Sequence, residues 1–158
     1  MRCRTFHIHE VVENAFNIAR PLLERRSQPF SLAEPAHLAE IEGDPARLTQ
    51  VLVNLIVNAG KYSPIGRPVE VQLAQGEDTL WVGVADRGPG IPPAERSNLF
   101  RSFVRLDNGN QEQYGVGLGL YVVKTVVEAH GGRVGIRDHA GGGSLFWFEI
   151  PLRQKGTG

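Results

Sequence analysis

The chain has 158 residues, and its 17 Lys plus Arg balance its 17 Asp plus Glu, giving a formal net charge of zero. That length suits a single domain with a real core, and the even charge argues against nucleic acid or a membrane surface as the main partner. The single Cys3 cannot form an internal disulfide, five scattered histidines show no zinc spacing, and no run approaches the roughly 18 apolar residues of a membrane helix; a reducing, cytoplasmic setting is expected, with any membrane tether outside this chain.

Residues Arg4 to Ile8 read as a short extended segment. From His9, the residues Val11, Val12, Ala15, Ile18, Ala19 and Leu22 follow helical spacing, and Pro21 is expected to kink that helix or end it early. Phe30 with Leu32, and then Leu38 to Ile41, predict two short strands. Asp44-Pro45 is a helix start, an acceptor at the N-cap followed by proline at the first helical position. The helix it opens carries the apolar stripe Leu48, Val51, Leu52, Leu55, Ile56 and Ala59, with Arg47, Asn54, Asn58 and Lys61 largely off it, until Ser63-Pro64. Val69, Val71 and Leu73, then Leu80, Val82 and Val84, alternate about the turn Gly76-Glu77-Asp78, which predicts a hairpin. Asp86 shares the parity of Val84 and should face inward, where a carboxylate needs partners.

Residues 87 to 93 form a glycine and proline turn, and 104 to 116 a polar stretch that is a candidate mobile lid. Gly115-Val116-Gly117-Leu118-Gly119-Leu120 is expected as an amide-rich loop at the N-terminus of a helix from Tyr121 to His130, a junction that binds anions and points to a phosphate-bearing ligand. Its spacing is neither the dinucleotide fingerprint nor the Walker loop. Gly131 should cap that helix, and Arg133 to Arg137 with Ser144 to Pro151 predict a closing hairpin across the Ala140 to Gly143 turn. The whole reads as one domain over 1–152 with a disordered tail at 153–158. Its class is α+β, a two-layer sandwich with helices on one face of a mixed, mostly antiparallel sheet.

Asn54, Asn58, Lys61 and Tyr62 stand at i, i+4, i+7 and i+8 and so line one edge of their helix. An asparagine oxygen is a hard ligand suited to Mg²⁺, a lysine supplies point charge to phosphate, and a tyrosine ring can lie on a nucleobase. Taken singly, each also fits a solvated position on an amphipathic helix. Asp86 with Gly88 and Gly90 adds an acceptor suited to the exocyclic amino group of adenine, beside backbone open enough for the base to lie against; the competing reading is a solvated Asp in a β-turn.

The order Asn58-Ala-Gly-Lys61-Tyr62-Ser-Pro, Asp86-Arg-Gly88-Pro-Gly90-Ile91-Pro, Leu99-Phe100-Arg-Ser-Phe103-Val-Arg105 and Gly115-Val-Gly117-Leu-Gly119-Leu resembles the N, G1, F and G2 boxes of bacterial sensor histidine kinases. The likeness extends from about Phe6 to Leu152 and implies the Bergerat fold shared with DNA gyrase, mismatch-repair and chaperone ATPases. It implies ATP and Mg²⁺ as cofactors, with Asn58 as metal ligand, Lys61 on phosphate, Tyr62 stacking on adenine and Asp86 reading it, with Gly88, Gly90 and Ile91 in the same box. Arg105 would reach the terminal phosphate, Gly115, Val116, Gly117, Leu118 and Gly119 would hinge the lid and bring amides to the phosphates, and Phe100 and Phe103 would anchor the lid's other end.

In the hydrolysing relatives the position of Asn54 carries a glutamate that activates water. An amide cannot accept that proton at neutral pH, whereas a neutral imidazole is already a nucleophile, so kinase chemistry is expected rather than hydrolysis, with Asn54, Asn58, Lys61 and Arg105 as the catalytic set. The alternatives are an ATP-hydrolysing relative and a nucleotide-binding regulatory module. His9-Glu10 lacks the basic residue and proline of a phosphoacceptor box, and His130 is expected at a helix C-terminus that favours cations. The acceptor histidine is therefore expected on a dimerisation domain of the same protein outside this chain, with a response-regulator receiver as the indirect partner. Two departures from the family stand out. Gly60 costs roughly 1 kcal/mol of helix propensity relative to Ala, so the Asn58 helix is expected to fray until nucleotide binds, and Tyr114 replaces a glycine common in the lid.

Overall fold

The computed structural model describes residues 1–96, 99–100 and 114–154, the last stretch without the side chains of 114–118. In chain order its elements are β1 (Arg4–Phe6), α1 (Ile8–Arg25), β2 (Phe30–Ala33), β3 (Ile41–Gly43), α2 (Pro45–Tyr62), β4 (Val69–Gln75), β5 (Thr79–Ala85), α3 (Pro93–Arg96), α4 (Tyr114–Ala129), β6 (Arg133–Asp138) and β7 (Ser144–Pro151). Five strands form one sheet in the order β2-β4-β5-β7-β6, parallel only at β2-β4 and antiparallel elsewhere, while β1 and β3 pair separately. This is the expected α+β sandwich.

Strand alternation builds the core. Leu80, Val82 and Val84 of β5 and Phe146, Phe148 and Ile150 of β7 face the helices and are fully buried against Leu48, Leu52, Leu55 and Ile56 of α2. Each such side chain contributes about 1.5–3 kcal/mol of transfer free energy. The opposite sheet face carries no described helix and presents both tryptophans of the chain. Each lies over a glycine: a Cβ on Gly83 would stand 2.5 Å from Trp81 Cη2, and one on Gly135 2.4 Å from Trp147 Cζ2. Arg137 and Arg133 sit over the two indoles at 5.0 and 5.5 Å.

Several elements differ from expectation. Helix α1 runs through Pro21 to Arg25, because Pro21 faces solvent while Leu23, two residues on, is buried and ties that end to the core. The strand expected at Leu38–Ile41 is β3 at Ile41–Gly43, where pairing with β1 sets its limits. Helix α4 begins at Tyr114 rather than Tyr121, so the glycine run occupies its first turns; packing of buried Leu120 and Val123 overrides the weak propensity of glycine. Arg153 and Gln154 are attached to the fold: Gln154 donates through its amide to Glu42 Oε1 at 3.0 Å and through Nε2 to the His130 carbonyl at 2.8 Å. The lid expected at 104–116 lies outside the described residues apart from 114–116, which belong to α4.

The C-terminal end of α2 is held rather than frayed. A Cβ on Gly60 would stand 2.9 Å from Gln28 Oε1 and 3.1 Å from Leu23, so glycine permits a close approach. Through that gap Gln28 Nε2 donates to the Gly60 carbonyl at 2.9 Å, and Arg26 donates to the carbonyls of Gly60 and Ser63 at 3.1 and 2.9 Å. The Gly60 carbonyl of the last turn and the Ser63 carbonyl just beyond it are therefore satisfied from α1's far end.

Candidate functional site

Helix α2 starts where Asp44 accepts from the Arg47 amide at 3.3 Å, with Pro45 at the first helical position. Its apolar stripe fixes the rotation of the helix on the sheet, and that rotation turns Asn58 inward. Asn58 is 2% exposed, and neither its Nδ2 nor its Oδ1 has a partner among the described residues. A buried amide left without hydrogen bonds costs about 1–3 kcal/mol, so such an atom marks a place where something else supplies the partner. Asn54, one turn earlier, donates from Nδ2 to the carbonyl of Gly119 at 3.3 Å and links α2 to α4. Lys61 is solvent-exposed, as expected of a side chain off the stripe.

Tyr62 ends α2 with its ring parallel to that of Phe146, centroids 6.2 Å apart, and Phe100 meets Phe146 edge-on at 6.5 Å. The Tyr62 hydroxyl is buried without a partner among the described residues, and burial first, then the nearby carboxylates of Asp86 and Glu95, push its phenol well above the ordinary range. Tyr62 is in contact with Phe146 through its ring and with the turn after β5 through its carbonyl.

Asp86 continues the inward parity of β5 and is 1% exposed. Its Oδ1 accepts the amides of Gly88 at 2.9 Å, an Asx-type turn, and Ser144 at 3.0 Å. Its Oδ2 has no partner among the described residues. Burial raises the Asp86 carboxyl above the usual carboxylate range, opposed by those two amides and by His139. Gly88 packs so closely that a Cβ would stand 2.3 Å from the Tyr62 carbonyl, and Gly90 has φ +85°, so both glycines are required by geometry. Ile91 is buried beside them. The turn after β5 is thus clamped to the end of α2, a contact reinforced by the Arg87 amide donating to buried Ser63 Oγ at 2.7 Å.

The structure therefore brings Asn58, Tyr62, Asp86, Gly88, Gly90, Ile91 and Phe100 around the junction of α2, β5 and β7, with Asn54 and Gly119 at its α4 side. Gly115, Val116, Gly117 and Leu118 belong to the first turns of α4 rather than to a loop, so within the helix the amides without intrahelical carbonyls are those of Tyr114, Gly115 and Val116. Phe103 and Arg105 lie outside the described residues. Sequence reasoning missed Ser144, whose amide orients Asp86, and Ser63 and Gln28, which set the end of α2; the three glycines before Ser144 were the available signal. His130 sits at the C-terminus of α4 as expected, and is fully buried there: Nδ1–H donates to the Val126 carbonyl at 2.9 Å and Nε2 accepts the Asp44 amide at 3.0 Å.

The family described as "Histidine kinase-, DNA gyrase B-, and HSP90-like ATPase" matches residues 43–154. The adaptive-response sensory kinase SasA of Prochlorococcus marinus is 40% identical over 122 residues, 77% of this chain and 32% of that protein. The chain thus spans about a third of the length of this curated relative. Among solved structures, the catalytic domain of histidine kinase ThkA aligns with TM-score 0.86 and 23% identity over 97% of both chains. Full-length ShkA in complex with AMPPNP aligns with TM-score 0.84 and 29% identity over 99% of this chain and 32% of that one.

Proposed function

From the premise that the chain belongs to the histidine kinase-, DNA gyrase B- and HSP90-like ATPase family and is a histidine-kinase type of catalytic, ATP-binding domain, we propose that it transfers the γ-phosphoryl of Mg·ATP to a histidine on a dimerisation domain of the same protein. A response-regulator receiver would then take the phosphoryl group from that histidine. The observation that carries this reading is that two polar groups at one junction, the Asn58 amide and Asp86 Oδ2, are buried and without partners among the described residues.

The two groups suit opposite ends of one ligand. Asp86 Oδ2 is an acceptor held at the end of β5 for the exocyclic amino group of adenine, and the Tyr62 ring offers an apolar face beside it. Asn58 Oδ1 is a hard oxygen that fits a magnesium ion, whose chemistry when bound is to neutralise phosphate oxygens. Lys61 adds positive charge at the same helix end, and the free amides at the start of α4 face the role of phosphate donors. Arg105 completes this reading as a contact to the terminal phosphate. Asn54 brings no general base to a water molecule, which favours transfer to an imidazole over hydrolysis. A cytoplasmic setting belongs to the same reading, because Mg·ATP and a response-regulator receiver are its proposed substrate and partner; separately, among the described residues no helix is long and apolar enough to cross a membrane.

The test is phosphotransfer from labelled Mg·ATP to a dimerisation domain supplied in trans, read as an acid-labile, base-stable phosphohistidine. Mg-independent binding, or release of inorganic phosphate with no labelled histidine, would overturn the reading.

A further inference from the structure

We propose that Arg87 is a positioning residue that holds the base-reading carboxylate in its acceptor geometry, and so sets the preference for a purine bearing a 6-amino group. The inference rests on the functional reading above and adds to it a side chain that touches neither ligand nor metal. Asp86 can read a base only if Oδ1 is occupied and Oδ2 is left facing the site. One of the two donors to Oδ1, the Ser144 amide, arrives on the far side of the turn between β6 and β7. That turn closes on itself through His139 N–H to the Gly143 carbonyl at 3.0 Å and Gly142 N–H to the His139 carbonyl at 2.9 Å. Gly142 and Gly143 sit at φ +100° and +89°, so no side chain at either position steers it.

Arg87 spans the gap. Its amide is fixed to Ser63 Oγ at the end of α2. Its guanidinium reaches across to the turn, with Nη1 3.3 Å from His139 Nδ1, and fills the space beside Gly141 so fully that a Cβ there would stand 2.0 Å from Nη1. Gly141 is not in the left-handed region, so a side chain there would act by displacing the guanidinium rather than by straining the backbone. A rigid, always charged fork is suited to such a bridge, and it connects the helix that carries Asn58 to the turn that delivers Ser144.

The experiment measures the affinity of the 158-residue chain for Mg·ATP and Mg·ITP, which lacks the 6-amino group, by calorimetry. Arg87→Met should weaken ATP about tenfold, the equivalent of roughly one hydrogen bond, and narrow the ATP-over-ITP ratio by the same factor. Arg87→Lys should restore part of the ratio. Gly141→Ala, which displaces the guanidinium while leaving Arg87 in place, should copy Arg87→Met, and the double variant should lose no more than either single one. Gly141→Ala carries the test if Arg87→Met does not fold. An unchanged ATP-over-ITP ratio in the variants, equal loss of both nucleotides, or additive losses would overturn the proposal while leaving the kinase reading intact. A wild-type chain that binds no Mg·ATP would instead remove the functional reading and this proposal with it.

Discussion

At the N-terminal end of α2, Asp44 and His130 are buried and every polar atom of the pair is matched; at its C-terminal end Asn58 and Asp86 are buried to similar depth, Tyr62 is half-buried, and each keeps a buried atom unmatched among the described residues. The Asp44 carboxylate accepts the amides of Arg47 and Arg2, and the Asp44 amide donates to His130 Nε2. Matched polar burial fixes α2 against α4 and β3 and contributes to the fold. Unmatched burial costs the empty domain stability, and the same cost becomes binding free energy once a ligand supplies the partners. One helix thus carries a matched end and, where nucleotide is proposed to bind, an unmatched one, told apart by hydrogen-bond satisfaction among the described residues.

The comparison is broken most directly at Asn58. Asn58→Ala should remove Mg-dependent nucleotide binding, a loss of at least about a hundredfold in calorimetry, with the thermal midpoint of the empty domain unchanged or raised; a variant that binds Mg·ATP like wild type would show the metal assignment to be wrong. Next comes His130→Ala at the matched end, which opens a cavity and leaves the Asp44 amide alone. It should destabilise the fold by about 2–4 kcal/mol in denaturant titration and leave the nucleotide affinity of the folded fraction intact.

Asp86→Asn should weaken ATP by about tenfold or more while stabilising the empty domain, because it removes a carboxylate whose ionisation burial opposes. The sign follows from the raised folded-state pKa. The native state holds that proton more tightly than the unfolded chain, so wild-type stability is favoured below the ordinary carboxylate value and declines as pH rises through the raised one, a decline absent from the variant. The smallest effect belongs to Asp44→Ala, about 1 kcal/mol for a lost N-cap. For Asp44, burial acts to raise the carboxyl, but the amides of Arg2, Arg47 and Ala46 outweigh it and leave it below its usual value. Its contribution should therefore persist at neutral pH and vanish only as pH falls through that lowered value. Equal effects of Asp44→Ala and Asp86→Asn on both stability and affinity would erase the distinction between the two ends.

What could be read from the residues was local and periodic. Asp44-Pro45 announces the start of α2, and the parity of Leu80, Val82, Val84 and Asp86 places the carboxylate indoors, because capping and strand alternation are properties of neighbouring residues. The rest depends on contacts distant in sequence. Gly60 reads as a weak point of a helix, yet it admits Gln28 from 32 residues away. Ser144 lies 58 residues from the carboxylate it orients. His130 stands at the helix C-terminus its position predicts, but the Asp44 amide that donates to it lies 86 residues away. The start of α4 was misplaced because glycine propensity is local and packing against α2 is not.

The tryptophans lying over Gly83 and Gly135 have a practical consequence for spectroscopy. Both indoles of the chain are on the sheet face turned away from α2, each with an arginine over it, while Asn58, Tyr62 and Asp86, the residues proposed to bind nucleotide, meet on the other face. The indole emission should change when the sheet comes apart and stay level during a nucleotide titration. Intrinsic fluorescence of this domain is then a clean denaturation signal and a silent one for ligand, so that stability and affinity in every variant above can be followed by separate, non-interfering channels.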